Sequence, residues 1–212
     1  MKEPRYSAEY LHDRDRGGRA WFAANECLFT YLSDVVLRNL NPRMYDRYKS
    51  VRQSLPAGLE PLCGAWLGCA INEGQTTDGT PHVDMNDYAF GYNAVTAWGD
   101  FTSSRLLLWQ ISQSIEVQPG DAVLFLGRLF THNATCIIGG SRNIVDAFTH
   151  HSMLRWHDKK QLRWHDKKQR ELEREGNSPK GDGDSATTAG RALSTYRAGK
   201  GQRTIKARDS RA

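Results

Sequence analysis

Between residues 60 and 150 the chain is cut into short pieces by turn signals, and that spacing limits the fold more than any other feature. Turns are marked at Thr77-Asp78-Gly79, Gly99-Asp100, Pro119-Gly120 and Gly139-Gly140. Glycine supplies positive φ, proline a fixed φ, and aspartate a side chain that can hydrogen-bond its own backbone. The runs between them predict strands near 63–72, 88–98, 105–110, 114–117, 121–126, 130–137 and 142–150. Short strands at this spacing make an all-β sandwich or barrel.

The N-terminal third has a different period. Trp21, Phe22, Leu28, Phe29, Leu32, Val35 and Val36 recur at spacings of three and four, which predicts a helix from about Gly18 to Asn39. Asn41-Pro42 interrupts it. A shorter amphipathic helix follows, with Met44, Tyr45, Tyr48, Val51 and Leu55 on one face, and Pro56-Ala57-Gly58 ends it. Residues 1–18 read as a mobile polar leader. The body, residues 19–153, is therefore mainly β with flanking N-terminal helices.

The remainder is basic. Residues 1–153 carry 13 Lys/Arg against 16 Asp/Glu, a net of −3, while residues 154–212 carry 16 against 8, a net of +8. A basic extension on a mildly acidic body suits a polyanion such as nucleic acid, and equally a solubilising tail. The extension opens with a tandem repeat. Leu154-Arg-Trp-His-Asp-Lys-Lys-Gln161 is copied without change as Leu162 to Gln169, and opposite charges at helical spacing predict a charged helix over 154–175. Residues 176–212 are too polar to bury a core, so a disordered basic tail is expected. On this reading the chain beyond Met153 is dispensable for folding. Cys27, Cys63, Cys69 and Cys136 form no CxxC pair and lie in apolar stretches, which points to buried reduced thiols in an intracellular protein. The N-terminal residues lack the apolar core of a secretory leader, and no apolar run reaches membrane-spanning length, so neither secretion nor membrane insertion is expected.

The chemistry concentrates at His82-Val83-Asp84. In an extended segment residues i and i+2 point to one side, so an imidazole and a carboxylate can bind adjacent positions of one metal. His132, in Leu129-Phe-Thr-His-Asn133 after the Pro119-Gly-Asp-Ala-Val-Leu-Phe125 run, can supply a third ligand from a neighbouring strand. Two histidines and one carboxylate on one face leave positions open, an arrangement that favours oxygen-activating iron(II). Arg142 follows in Gly139-Gly-Ser-Arg-Asn143. The strand it opens would place Arg142, Ile144, Asp146, Phe148 and His150 on one face. A guanidinium beside a metal is suited to a forked ion pair with a carboxylate.

Three segments, PHVDMNDYAFGYNAVTAWGDF, VQPGDAVLFLGRLFTHN and GGSRNIVDAFTHHS, resemble the 2-oxoglutarate and iron(II)-dependent dioxygenases. Among these they resemble the TET/JBP group in its compact fungal and protist form. The resemblance runs from Gly64 to His151. It implies a double-stranded β-helix, a jelly-roll of the cupin kind. Fe(II) would be held by His82, Asp84 and His132, and Arg142 would bind the distal carboxylate of the cosubstrate 2-oxoglutarate. O2 would be consumed, succinate released, and a methyl group oxidised on 5-methylcytosine or thymine in DNA, or on a methylated base in RNA. Asn72, ten residues before His82, stands where related enzymes often carry a polar residue that touches cosubstrate. A base taken out of its stack needs an aromatic face and polar edge contacts. By resemblance Asp87, Phe148 and His150 would provide them. The implied setting is intracellular and nuclear, with no membrane and with a monomer as the default.

Two other readings stand beside this one. A prolyl-hydroxylase-like or small-molecule 2-oxoglutarate oxygenase would share the ligands, although prolyl hydroxylases generally place lysine where Arg142 stands. A transposon-associated copy that keeps the fold with little turnover would fit the unchanged repeat.

Overall fold

In the computed structural model, residues 3–75 and 79–176 are described. The strands, in chain order, are β1 (Gly68–Gln75), β2 (Asn93–Gly99), β3 (Arg105–Leu108), β4 (Gln113–Glu116), β5 (Ala122–Phe125), β6 (His132–Ala134) and β7 (Arg142–Phe148). They form two antiparallel sheets, ordered β1-β7-β2-β5 and β4-β3-β6. His82 continues the second sheet through a bridge to His132 at its β6 edge. The chain thus runs from the first sheet to the second at His82, back at β2, over again for β3 and β4, back at β5, over at β6, and back at β7. Two sheets wound alternately in this way are a double-stranded β-helix, the cupin-like jelly-roll that the family resemblance implies.

Register explains the two cores. Val95 lies opposite Asp146 and Val123, Ala97 opposite Ile144, and Asn93 opposite Phe125. Directly opposed residues share a face. That face meets the second sheet, where Ala97, Phe101, Leu106, Leu108, Val117 and Phe125 are buried together. The alternate residues, Ala94, Val145 and Ala147, face the other way and pack with Phe29, Leu32, Tyr48 and Trp66 under the helices. The first sheet is therefore covered on both sides.

The helices are α1 (Ala8–Asp13), α2 (Gly18–Ala24), α3 (Glu26–Tyr31), α4 (Arg38–Leu40), α5 (Pro42–Gln53) and α6 (His151–Gly176). The single helix predicted over 18–39 is broken. Asn25 donates its side-chain amide to the Trp21 carbonyl at 2.8 Å and competes with the backbone ladder. A π-helical stretch over Leu32–Leu37 then joins α3 to α4. Part of the leader is also helical. Ser7 caps α1 by accepting from the Tyr10 amide, and the Tyr10 ring meets Phe22 edge-on at 5.9 Å. Helix α5 buries Met44, Tyr45, Tyr48 and Val51 as its periodicity predicts, and Asn41 caps it through the Met44 amide at 3.0 Å.

Several boundaries move. The first strand starts at Gly68 because Cys63–Trp66 is a turn, closed by the Trp66 amide on the Cys63 carbonyl at 3.1 Å. Gly64 in that turn has φ +60°, and a side chain there would collide with the Phe29 carbonyl. The second strand starts at Asn93 because residues 86–88 bond instead to the end of β7. Cys63 is buried and Cys69 half-buried, but Cys27 and Cys136 are exposed, against expectation. Cys27 lies two residues from the buried Phe29 on α3, which puts it on the opposite side of the helix. Cys136 lies in the loop between β6 and β7.

The chain just after Met153 packs on the body. Leu154, Trp156 and His157 of the first octapeptide copy are buried. Arg47 pairs with Asp158, Ser50 Oγ meets His157 Nε2 at 3.2 Å, and Lys160 donates to the Ser54 carbonyl at 2.7 Å. The second copy continues the helix with Leu162 and Trp164 exposed. The expected tail beyond Gly176 and the turn at Thr77-Asp78 lie outside the described residues. No described helix is long and apolar enough to cross a membrane.

Candidate metal centre

One end of the sandwich gathers the starts of β2 and β6 with the ends of β3, β5 and β7. His82, Asp84 and His132 meet there. The His82 amide donates to the His132 carbonyl at 3.0 Å and the His132 amide to the His82 carbonyl at 2.9 Å. This reciprocal antiparallel pair sets both imidazoles side by side on one face, with ring centroids 4.5 Å apart. Asp84, two residues on, is tethered by its amide to the Gly127 carbonyl at 3.1 Å. Each of the three residues offers a ligand atom, and these atoms lie within 4.8 Å of one another.

The hydrogen bonds decide which atoms are offered. His82 Nδ1 lies 2.8 Å from the Thr80 carbonyl and His132 Nδ1 lies 2.9 Å from the Phe130 carbonyl. A carbonyl only accepts, so Nδ1 carries a proton in both rings, and the atom each neutral ring offers to a metal is Nε2. A ring held through its second nitrogen is how metal-binding histidines are ordinarily oriented. The two Nε2 atoms approach opposite oxygens of Asp84: His82 at 3.7 Å from Oδ1, His132 at 3.6 Å from Oδ2. Burial lowers the His132 pKa, against the pull of its bond to Phe130 and of Asp84. The imidazole is kept neutral, as a ligand must be. Phe125 packs edge-on against the His132 ring at 4.7 Å. Two imidazoles and a carboxylate are a donor set that fits iron(II).

Arg142 opens β7 and is 1% exposed. It donates to Ser104 Oγ and, at 2.9 Å, to the Thr135 carbonyl, so its guanidinium sits between the sheets. Asp146 lies on the same strand face, nearer the metal cluster. Burial, reinforced by the Asp84 and Asp87 carboxylates and opposed by a bond from Asn93, pushes its carboxyl up to about 7. Its Oδ1 is sealed from solvent and has no hydrogen-bond partner among the described residues.

The loop leaving Asp84 closes onto the end of β7. Asp87 and His150 form a bridge, the Tyr88 amide donates to the Thr149 carbonyl at 2.9 Å, and the His151 amide donates to the Asn86 carbonyl at 2.9 Å. This brings Asp87 Oδ1 to 3.6 Å from His150 Nε2. Burial raises the Asp87 pKa, while Asn93 and His150 hold it down. Phe148 and His150 are stacked, centroids 4.9 Å apart and planes 17° from parallel. Asn72 is not hydrogen-bonded to this group. It is exposed on the edge strand β1, opposite Ile144 and so on the same face of the sheet as Arg142 and Asp146, but among the described residues it makes no hydrogen bond to the rest of the site.

Sequence reasoning misses two residues. Asn93 is 1% exposed and bonded to the acidic residues of the site, and Ser104 holds Arg142. Asp146, which the sequence places on the Arg142 face, lies between the metal cluster and Arg142. The signal that could have found Asn93 is a polar side chain at an inward position of a strand whose other inward positions are apolar.

Fold and site together define a class: a double-stranded β-helix protein with a two-histidine, one-carboxylate cluster at one end. No family model and no curated protein matches the chain. Among solved structures it is similar to NgTET1 in complex with 5mC DNA, at 23% identity and TM-score 0.43 over 57% of this chain and 51% of that one. It is also similar to a cupin-2 domain containing protein from Shewanella frigidimarina, at 8% identity and TM-score 0.28 over 39% of this chain and 76% of that one. Protein NMB1881 from Neisseria meningitidis is similar at 10% identity and TM-score 0.28, over 47% of this chain and 95% of that one. The chain spans about half the length of NgTET1. The order and path of the strands, not these likenesses, identify the fold.

Proposed function

We propose that the protein is an iron(II) and 2-oxoglutarate-dependent dioxygenase that oxidises the methyl group of a base, 5-methylcytosine or thymine, in DNA. The reading rests on one observation above others: His82, Asp84 and His132 present ligand atoms within 4.8 Å of one another, with both Nε2 atoms freed by bonds at Nδ1. Iron(II), when bound there, supplies the chemistry that couples O2 and 2-oxoglutarate to oxidation of a methyl group, with succinate and carbon dioxide released. The chain's own residues hold and orient. His82, Asp84 and His132 hold the metal on one side and leave the other open. Arg142, held by Ser104, meets the distal carboxylate of 2-oxoglutarate inside the sandwich. Phe148 offers a ring for stacking, and Asp87 and His150 offer polar atoms for the base edge. The basic segment beyond Met153 contributes phosphate contacts. The setting proposed is nuclear, with a monomer as the acting form.

The test is a turnover assay on the full chain with iron(II), ascorbate, 2-oxoglutarate and methylated DNA, reading succinate and oxidised nucleosides by mass spectrometry. Both are expected, and alanine at His82, Asp84 or His132 should remove bound iron and both products. Succinate without base oxidation would move the substrate to a peptide or small molecule. Wild-type iron stoichiometry in any of the three variants would overturn the metal assignment.

A further inference from the structure

Asn93 is the residue around which the acidic side of the site is arranged. It opens β2 opposite Phe125, and its side chain lies on the strand face that points between the sheets, the face of Val95 and Ala97 further along β2. It is 1% exposed. A buried amide needs partners, and this one has three carboxylates. Its Nδ2 lies 3.0 Å from Asp84 Oδ2, 3.0 Å from Asp87 Oδ2 and 3.4 Å from Asp146 Oδ2. Ionised carboxylates only accept, which fixes the amide with its nitrogen toward them. That nitrogen has two hydrogens. The two shorter contacts take them, so Asp84 and Asp87 are the residues that Asn93 orients.

The same oxygen of Asp84 is walled from a second side. A Cβ at Gly127 would collide with Asp84 Oδ2 and would come within 2.9 Å of Asn93 Nδ2. The Gly127 carbonyl also accepts from the Asp84 amide. Oδ2 therefore sits in a slot formed by the Asn93 amide and a backbone that must stay bare, while Oδ1 is left to face His82 Nε2.

We infer that Asn93 is a positioning residue that makes Asp84 bind the metal through Oδ1 alone, keeping the adjacent coordination position open for the keto acid of the cosubstrate. This rests on the metal-centre reading above. Oδ2 lies 3.6 Å from His132 Nε2, close enough to join the same metal if nothing held it. A carboxylate gripping with both oxygens would occupy one of the three positions that the two histidines and Asp84 leave free. A 2-oxoglutarate chelate needs two of those and O2 the third. Asn93 thus acts on cosubstrate access through Asp84, and on the position of Asp87 through its second hydrogen.

The experiment has two arms, both read without turnover. In the first, wild type and Asn93→Ala are titrated anaerobically with iron(II) and then with 2-oxoglutarate, following the visible charge-transfer band of the keto-acid chelate. The expectation is iron binding retained and the midpoint for 2-oxoglutarate raised about tenfold or more, the size typical of losing an outer-shell partner. A merely structural Asn93 would lower the melting temperature and leave that midpoint unchanged, and this result overturns the inference. The second arm needs no variant. A crystal structure of the wild-type manganese(II) complex without cosubstrate should show Asp84 bound through Oδ1 only, with Oδ2 on Asn93. A two-oxygen grip by Asp84 overturns the inference whatever the variant does. If wild type binds no divalent metal at His82, Asp84 and His132, the metal-centre reading fails, and the inference falls with it for that separate reason.

Discussion

Leu154 and Leu162 open identical octapeptides, yet Leu154 is 2% exposed in the core and Leu162 is 63% exposed. Helix geometry accounts for the difference. Eight residues carry a position about 12 Å along the axis and about 80° around it, so the second copy turns away from the face that α5 offers to the first. Only the first reaches Arg47, Ser50 and Ser54.

Deleting either octapeptide gives the same chain, with one copy in the docked position. That protein is expected to melt within a degree or two of the full chain. Truncation after Met153 removes the buried Leu154 and Trp156 and should lower the melting temperature sharply, because losing side chains of these types costs about 2–5 kcal/mol each. Thermal denaturation of the two shortened chains against the full one decides it. Equal melting temperatures for the Met153 truncation and the full chain would mean that the docked copy adds nothing to stability.

What can be read from the sequence follows from this kind of physics. Period-two strands and turn chemistry are local, so the sandwich and its strand sites are legible in the chain itself. His82 and Asp84 are legible for the same reason, since i and i+2 share a face in any extended segment. His132 needs only the step to a neighbouring strand. Asn93 is legible only as a polar residue at an inward strand position, not by its partners. Its role depends on β2 lying beside β7, which no local pattern encodes. The docking of the first octapeptide is hidden because two identical stretches carry identical local signals, and only their distance from β7 separates them. The break at Asn25 turns on one side-chain bond to a carbonyl, which periodicity does not register.

Asp146 predicts an inverted pH dependence of stability in the metal-free protein. Its carboxyl moves from an ordinary 3.8 up to about 7 in the fold, chiefly through burial. Between those values the unfolded chain has released the proton and the folded chain still holds it, so stability falls as pH rises. The penalty is absent below pH 3.8 and complete above pH 7, where it reaches roughly 4 kcal/mol at most. Asp146→Asn should therefore raise the melting temperature at pH 7.5 and change it little at pH 4. A variant less stable than wild type at pH 7.5 would show that the charged carboxylate is satisfied in the fold.

Arg142→Lys separates cosubstrate binding from metal binding. Lysine keeps the charge but loses the fork that can bond Ser104 and a carboxylate together. Iron stoichiometry should hold while the KM for 2-oxoglutarate rises. Because the site is buried, the melting temperature is measured alongside. An unchanged KM removes Arg142 from the cosubstrate site.

The substrate pocket makes the last prediction. Phe148 lies over Gly68, where an added Cβ would come within 2.7 Å of the ring, and His150 is stacked on it. His150 is held there by Asp87, and Asp87 in turn by Asn93. On the proposed reading, a base stacked on Phe148 would take the place of the His150 ring, which would turn toward the base edge while staying near Asp87. Stacking on an aromatic ring is worth about 1–3 kcal/mol per base. Phe148→Ala should therefore lose about ten- to a hundredfold in kcat/KM for base oxidation, with iron content and substrate-free succinate formation kept. His150→Ala frees the ring but removes an edge contact. It should weaken discrimination between methylated and unmethylated DNA more than it weakens binding. Asp87→Asn retains an acceptor for Asn93 and loses the charge beside His150, so its defect should resemble that of His150→Ala and not that of the metal-ligand variants. If Phe148→Ala and His150→Ala both oxidise the base at wild-type rates, the substrate is held elsewhere on the molecule.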